Sequence, residues 1–332
     1  MLGHGRNVGI VGVGSALPEK IITNRDLEKM VDTTTEWIVT RTGIRERHIA
    51  GPETATSDLA LSAGRQALRR AGVKANEVDL IIIATATPDM AFPSTACIVQ
   101  AALGAESAAA FDLEAACSGF LYGLAIAEQF ISSGIYDTAL VIGAETLSKI
   151  TNWSDRNTCV LFGDGAGACV LRPVSKGKGI LSHYLGADGK GGELLQIRGG
   201  GSRRPTSVDT LQGGLHYIEM LGSEVYKFAV RIMGEAALEA IQRSHLSQRD
   251  IDFLIPHQAN HRIIKAVAKR LELPPEQVVV NVDRCGNMSA ASIPVALEEA
   301  VVGGRVKDGH ILVLVAFGAG LTWGATVIRW GT

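Results

Sequence analysis

The chain repeats itself. The run Val73-Lys-Ala-Asn-Glu-Val-Asp79-Leu-Ile-Ile82 is echoed by Leu246-Ser-Gln-Arg-Asp-Ile-Asp252-Phe-Leu-Ile255, so that Asp79 and Asp252 stand 173 residues apart. A second pair, Ala139-Leu-Val-Ile142 and Leu312-Val-Leu-Val315, recurs at the same spacing, and each is followed by a turn of small residues. One such match can arise between any two helix–loop–strand units, but two at a single offset of about half the length mean a duplicated unit. Apolar runs without alternation at 8–13, 80–84, 139–143, 253–255 and 311–315 read as strands buried on both faces. Between them, helical patterns at 57–71, 120–132, 225–244, 261–271 and 293–302 make strands and helices alternate. The expectation is an α/β chain of two like halves, 1–174 and 175–332, joined near residues 173–179. With 38 glycines and only 5% aromatics, helices can cross the sheets at close range.

The offset also places candidate chemistry. Position 117 maps onto Ala290, so the segments following Cys117 and Asn287 are mates, each at the point where a loop enters a helix. Cys117, in Ala115-Ala-Cys-Ser-Gly, precedes an apolar helical run. Its sulfur would lie at a helix N-terminus, where the dipole favours thiolate and a backbone N–H can meet an oxyanion. Taken alone the segment reads equally as a small cysteine used for packing. His257, in Ile255-Pro-His-Gln-Ala-Asn260, follows a strand at its carboxyl end, where the ligand groups of open α/β sheets gather. Asn287, in Gly286-Asn-Met-Ser289, carries an amide that donates two hydrogen bonds without changing charge, or else it caps a turn. Together the three match a nucleophile with two oxyanion donors.

Several classes fall away. Thirty-two Lys and Arg against 34 Asp and Glu leave a formal charge of −2, so no global field draws the chain to nucleic acid or to an anionic membrane. No run approaches a membrane span, and the start lacks a signal pattern, so the reading is a cytoplasmic enzyme. Five cysteines without a C-x-x-C pair argue against a disulfide framework and a structural zinc. Gly12 and Gly14 mimic a dinucleotide fingerprint, but Pro18 falls where its helix would begin, and Gly163-Asp-Gly-Ala-Gly167 lacks the Lys-Ser/Thr of a phosphate loop. Neither a metal nor a cofactor is expected.

The motifs Asp112-Leu-Glu-Ala-Ala-Cys117-Ser-Gly, Pro256-His-Gln-Ala-Asn260, Gly286-Asn-Met-Ser-Ala-Ala-Ser292, Phe162-Gly-Asp-Gly-Ala-Gly-Ala and Phe317-Gly-Ala-Gly-Leu-Thr-Trp-Gly resemble β-ketoacyl-acyl carrier protein synthase III. So does Glu36-Trp-Ile-Val-Thr-Arg41-Thr-Gly-Ile, and the likeness spans essentially the whole chain. The resemblance implies the thiolase fold, a five-layered αβαβα stack, and the first condensation of type II fatty acid synthesis. It implies that Cys117 takes an acyl group from a coenzyme A thioester. Malonyl-acyl carrier protein would then lose carbon dioxide and attack the acyl-enzyme. His257 and Asn287 would hold the malonyl thioester oxygen, and the N–H groups of Cys117 and Ala319 would form a second oxyanion hole; the family usually has Gly at the position of Ala319.

Further roles carry over in the same way. Trp37 and Arg156 resemble the pair that sandwiches the adenine of coenzyme A, Arg41 resembles a nucleotide phosphate contact, and Asn260 belongs to the coenzyme side of the site beside His257. Phe92 resembles the residue that crosses a homodimer interface to close the partner's acyl pocket. Ser223 stands at a family asparagine that helps hold pantetheine. Arg262, Lys265, Lys269 and Arg270 follow His257 at spacings that put the first three on one helical face. With Lys227, this stripe reads as a docking patch for the acidic carrier protein. A thiolase would show a second reactive cysteine in 317–324, and an elongating synthase a histidine at Asn287; neither is present. Quinolone- and polyketide-forming synthases share the cysteine and histidine, and a non-catalytic binding protein is disfavoured by the intact trio. The primer is not readable from the sequence.

Overall fold

The computed structural model describes residues 5–332. Five strands, β1 (Val8–Ala16), β2 (Leu80–Ala84), β3 (Ala109–Leu113), β4 (Ala139–Thr146) and β5 (Asp164–Pro173), form one sheet in the order β1-β5-β4-β2-β3. The chain then crosses to a second sheet of β6 (Gly179–Ala187), β7 (Phe253–Pro256), β8 (Ile311–Gly318) and β9 (Thr322–Arg329), ordered β7-β8-β9-β6. Leu80 pairs in parallel with Ala139, and Phe253 pairs in parallel with Leu312, which is one pairing displaced by 173 residues. The mate of β3 is reduced to a single bridge between Leu254 and Val278. Repetition fails at the last strand of each half. Residues 147–163 connect β4 to β5, whereas 319–321 suffice between β8 and β9.

Seven longer helices flank and separate the sheets: α1 (Thr35–Thr42), α2 (Thr56–Ala71), α3 (Thr95–Leu103), α4 (Gly119–Ser132), α5 (Gly222–Arg243), α6 (His261–Arg270) and α7 (Ser292–Val302). The mates α4 and α7 lie in the middle: Phe120, Leu124, Ile293 and Leu297 share one core with Ile82 and Val141 of the first sheet and Ile255, Leu312 and Leu314 of the second. Helices α2 and α3 cover the other face of the first sheet over Ile81, Ile83 and Ile142, and α5 and α6 cover the second over Leu254, Val313 and Val315. Successive strand residues therefore enter different apolar layers, which is why the runs do not alternate. The stack reads αβαβα.

Gly12 and Gly14 have a packing explanation. A Cβ on either would stand 2.4 Å from the Ala67 carbonyl oxygen or 2.3 Å from that of Ala63, so their bareness lets α2 lie on β1. Among the described residues no helix is long and apolar enough to cross a membrane, and no cluster of His, Cys, Asp and Glu could hold a metal ion.

Candidate active site

Cys117 occupies the centre of a 3₁₀ turn, Ala116–Ser118, that runs directly into α4. The mate of that turn, Ser289–Ala291, runs into α7 and follows Asn287. Both begin on a residue held at positive φ, Ala116 and Ser289, each at +44° and 173 residues apart. Duplication thus extends to backbone strain of a kind found at functional turns. His257 leaves the end of β7, with its N–H donating to the Val315 carbonyl at 2.8 Å.

These elements bring Cys117, His257 and Asn287, all buried, onto one cavity of about 110 Å³, together with Phe162, Met220, Phe317 and Gly318. A second cavity of about 350 Å³ also opens on Cys117 and is lined by Ala86, Leu147, Ile150, Leu195, Ile218 and Ala319. The sulfur sits where the two meet.

Asn287 is fixed from three sides. Its N–H donates to Leu161 O at 2.8 Å, its carbonyl accepts from Gly163 N at 3.0 Å, and its Oδ1 accepts from Ser289 N at 2.9 Å. The side-chain oxygen is so committed to the backbone, which leaves the two amide hydrogens for the cavity. His257 Nδ1 lies 2.5 Å from Ser292 Oγ, which is itself 2.9 Å from Ser289 O. Burial pushes the His257 pKa down to about 3, so the imidazole is neutral.

Cys117 departs from the sequence expectation. Its helix-entry position is as anticipated, but burial pushes its thiol up to about 12, with the Glu145 charge raising it further and the Ser289 hydroxyl opposing. The dipole of α4 does not give a resting thiolate, because removing a sulfur anion from water costs more than a helix end returns. With the imidazole also neutral, no ion pair joins Cys117 and His257 at rest.

The amide of Cys117 lies close against Gly318. A Cβ on Gly318 would stand 2.6 Å from Cys117 N, so glycine is what lets the end of β8 approach the cysteine turn this closely. Thr322 Oγ1, 2.9 Å from Ala115 O and 3.0 Å from Ala319 O, ties the β8–β9 turn to the cysteine turn.

A larger outer cavity of about 750 Å³, lined by Trp37, Arg41, Asn157, Ser223, Lys227 and Arg262, shares Leu161, Met220, Gly222, Tyr226 and Asn260 with the cavity at Cys117. A path therefore runs from the surface to the thiol. Arg41 and Arg156 place their guanidinium carbons 4.8 and 5.1 Å from the Trp37 ring centroid. Trp37 and Arg156, expected from the resemblance to sandwich an adenine, are brought together here, and a base between them would need about 7 Å, two contact gaps of about 3.5 Å. Arg156 instead rests on the indole and donates to Asp32 O at 2.9 Å. Asn260 is likewise occupied. Its Oδ1 caps α6 by accepting from Arg262 N at 2.8 Å, and its Nδ2 donates to Arg41 O at 3.0 Å, so it joins α6 to α1.

The basic stripe divides. Arg262 lies over the Tyr226 ring at 5.1 Å by the outer cavity, where Lys227 pairs with Glu224 at 2.9 Å. Lys265 and Lys269 border an apolar groove with His261 and Leu273. Arg270 turns away, 3.7 Å from Glu235 of α5, and does not share their face. Phe92 is 85% exposed and lines neither cavity of its own chain. Sequence reasoning passed over Glu145, Ser289, Ser292 and Gly318, although the 173-residue offset pairs Ser289 with Ala116 and Gly318 with Glu145.

The comparisons with known proteins agree with this geometry. Residues 111–189 match the family described as 3-oxoacyl-[acyl-carrier-protein (ACP)] synthase III, and residues 241–330 match its C-terminal region. The chain is 61% identical over 326 residues to the β-ketoacyl-[acyl-carrier-protein] synthase III of Symbiobacterium thermophilum, covering 98% of this chain and 99% of that one. It is 57% identical over 322 residues to that of Clostridioides difficile, covering 97% and 98%. The crystal structure of the Aquifex aeolicus VF5 synthase superposes with a TM-score of 0.91 at 48% identity, over 97% of this chain and all of that one. A buried cysteine, histidine and asparagine line one cavity that adjoins an outer one. The chain belongs to the β-ketoacyl-[acyl-carrier-protein] synthase III family, the condensing acyltransferases that initiate fatty acid synthesis.

Proposed function

We propose that Cys117 is acylated by a coenzyme A thioester entering through the outer cavity, with the acyl chain lodging in the second cavity beside Leu147, Ile150 and Ile218. The observation that carries the reading is the convergence of Cys117, His257 and Asn287 on one buried cavity continuous with the surface. The N–H groups of Cys117 and Ala319 receive the oxyanion as the thiolate adds and the coenzyme leaves. Trp37, Arg41 and Arg156 hold the nucleotide, and the two arginines must part from the indole to admit the base. Asn260 orients the coenzyme side of the site by fixing α1 against α6.

Malonyl-acyl carrier protein then brings its thioester oxygen to His257 and Asn287. Loss of carbon dioxide leaves an enolate whose charge falls on that oxygen, and the Asn287 amide donates to it in a dry cavity that the neutral His257 imidazole helps to shape. The enolate carbon attacks the acyl-cysteine and regenerates the thiol. Lys227, Arg262, Lys265 and Lys269 guide the acidic carrier; Arg270, tied to Glu235, contributes least. The chain works in the cytoplasm as a homodimer, each Phe92 closing the partner's acyl cavity, and it needs no cofactor or nucleic acid.

The decisive experiment incubates the protein with acetyl-, isobutyryl- and octanoyl-coenzyme A, weighs the acyl-enzyme, and follows carbon dioxide release from malonyl-acyl carrier protein. Acylation lost in Cys117→Ser, with decarboxylation lost in His257→Ala while acylation survives, is expected. Undiminished decarboxylation in His257→Ala overturns the assignment.

A further inference from the structure

The second cavity at Cys117 is walled mostly by hydrocarbon, with Leu147, Ile150, Phe162 and Ile218 facing it and Gln196 and Ser289 as its neutral polar members. Glu114 brings the one charge: among the described residues lining this cavity there is no Lys, Arg, His or second carboxylate. The residue directly follows β3 and stands three positions before the nucleophile. Its Oε1 accepts from the Ala116 N–H at 2.9 Å, which fastens the carboxylate to the turn that carries Cys117. The side chain is exposed, so it holds its charge without the cost of burial. Consecutive Cα atoms are about 3.8 Å apart, so a carboxylate tied to Ala116 lies within the reach of about 10 Å over which exposed charges act at 0.1 M salt. A fixed negative charge therefore stands beside the space into which an acyl chain on the Cys117 sulfur would extend.

This inference rests on the acylation of Cys117 with the acyl chain in the second cavity, and it names which primers that cavity takes. We propose that Glu114 is a specificity-determining residue that confines Cys117 to acyl thioesters with an uncharged tail and turns away those whose tail ends in a carboxylate. An anionic tail meets two penalties there. It leaves water for an apolar wall that offers no cation, a cost that any such cavity would impose. It also approaches a like charge held by the cysteine turn, and this second cost belongs to Glu114 alone. A hydrocarbon tail escapes both and gains by burying its methylenes along Leu147, Ile150 and Ile218. The coenzyme end is the same in the two classes, so the arginines of the outer cavity cannot tell them apart. Discrimination has to be made at the tail, and a site rejects a competitor most directly by setting an unfavourable charge against the group that distinguishes it.

The test uses succinyl- and butyryl-coenzyme A, which differ only in whether a carboxylate or a methyl ends the same chain. Each is offered to the full chain in a single turnover, the protein is quenched and weighed, and the ratio of the succinyl to the butyryl rate at Cys117 is read. Glu114→Gln removes the charge but keeps an oxygen to accept from the Ala116 N–H. The ratio is expected to be well below one in wild type and to rise about fivefold in Glu114→Gln, the worth of one exposed charge contact. In wild type it should also climb between about 0.05 and 1 M salt, as the screening length falls to about 3 Å, and Glu114→Gln should lack that climb. A ratio that Glu114→Gln leaves in place overturns the proposal, as does a wild type that takes succinyl as readily as butyryl. A common fall in both rates overturns it too, since Glu114 would then only brace the cysteine turn. If Glu114→Gln does not fold, a wild-type ratio that is flat across the salt range overturns it. Failure of wild-type Cys117 to take butyryl at all sinks the parent reading instead.

Discussion

Two turns of nearly identical backbone face each other across the centre of the molecule, and only one holds a nucleophile. In the first half Cys117 follows Ala116; in the second Ala290 follows Ser289, and both leading residues sit at φ +44°. The contrast continues at the neighbouring strand. Opposite the Cys117 amide stands Gly318, where a Cβ would come within 2.6 Å of Cys117 N, whereas its mate Glu145 is a buried carboxylate that accepts from Thr87 Oγ1 at 2.6 Å and from Ala86 N at 3.2 Å. A duplicated backbone can therefore present two like turns whose chemistry is set by the side chains placed on and opposite them.

The largest blow to that comparison should be Gly318→Ala. A methyl 2.6 Å from Cys117 N pushes the β8 end and the cysteine turn apart at the nucleophile's amide, and acyl transfer should fall about 10²–10³-fold, the usual cost of one oxyanion donor, read as the burst of free coenzyme A. Next comes acid stability. The His257 pKa lies at about 3 when folded against 6.5 for the ordinary group, so the folded state resists protonation. Its stability is complete above pH 6.5 and is lost as pH falls toward 3, at about 1.4 kcal/mol for each pH unit crossed. Urea titrations at pH 7 and pH 4 should show this loss in wild type and a shallower one in His257→Gln.

Arg262→Glu should raise the apparent KM for malonyl-acyl carrier protein about fivefold, the worth of about 1 kcal/mol of surface charge, and leave Cys117 acylation alone. An unchanged KM removes Arg262 from the docking surface. The smallest expected effect is none: Ala290→Cys in a Cys117→Ser background should take no acyl group by mass, because residue 290 is buried and lines neither cavity at Cys117. Acylation at residue 290 would show that the second turn is not silent.

Much of this was legible in the chain. The paired runs at offset 173 foretold the parallel pairs Leu80–Ala139 and Phe253–Leu312, and the loop-to-helix positions of Cys117 and Asn287 followed from it. What stayed hidden depends on distance through space. Gly318 looks like any glycine in Phe-Gly-Ala-Gly until the Cys117 amide is set beside it, and Glu145 reads as the polar end of an apolar strand. The thiol was misjudged because a helix terminus is a local feature and burial is not. The closed stack of Arg41, Trp37 and Arg156 is invisible for the same reason, since no motif records a spacing between side chains.

The raised pKa of Cys117 has a consequence outside catalysis. Thiolates attack peroxide and disulfides, and a sulfur that burial keeps protonated is a poor nucleophile toward them. Cys97, exposed at the surface, meets an oxidant first. The burial that disfavours a resting thiolate thus also lowers the reactivity of the idle nucleophile toward oxidants.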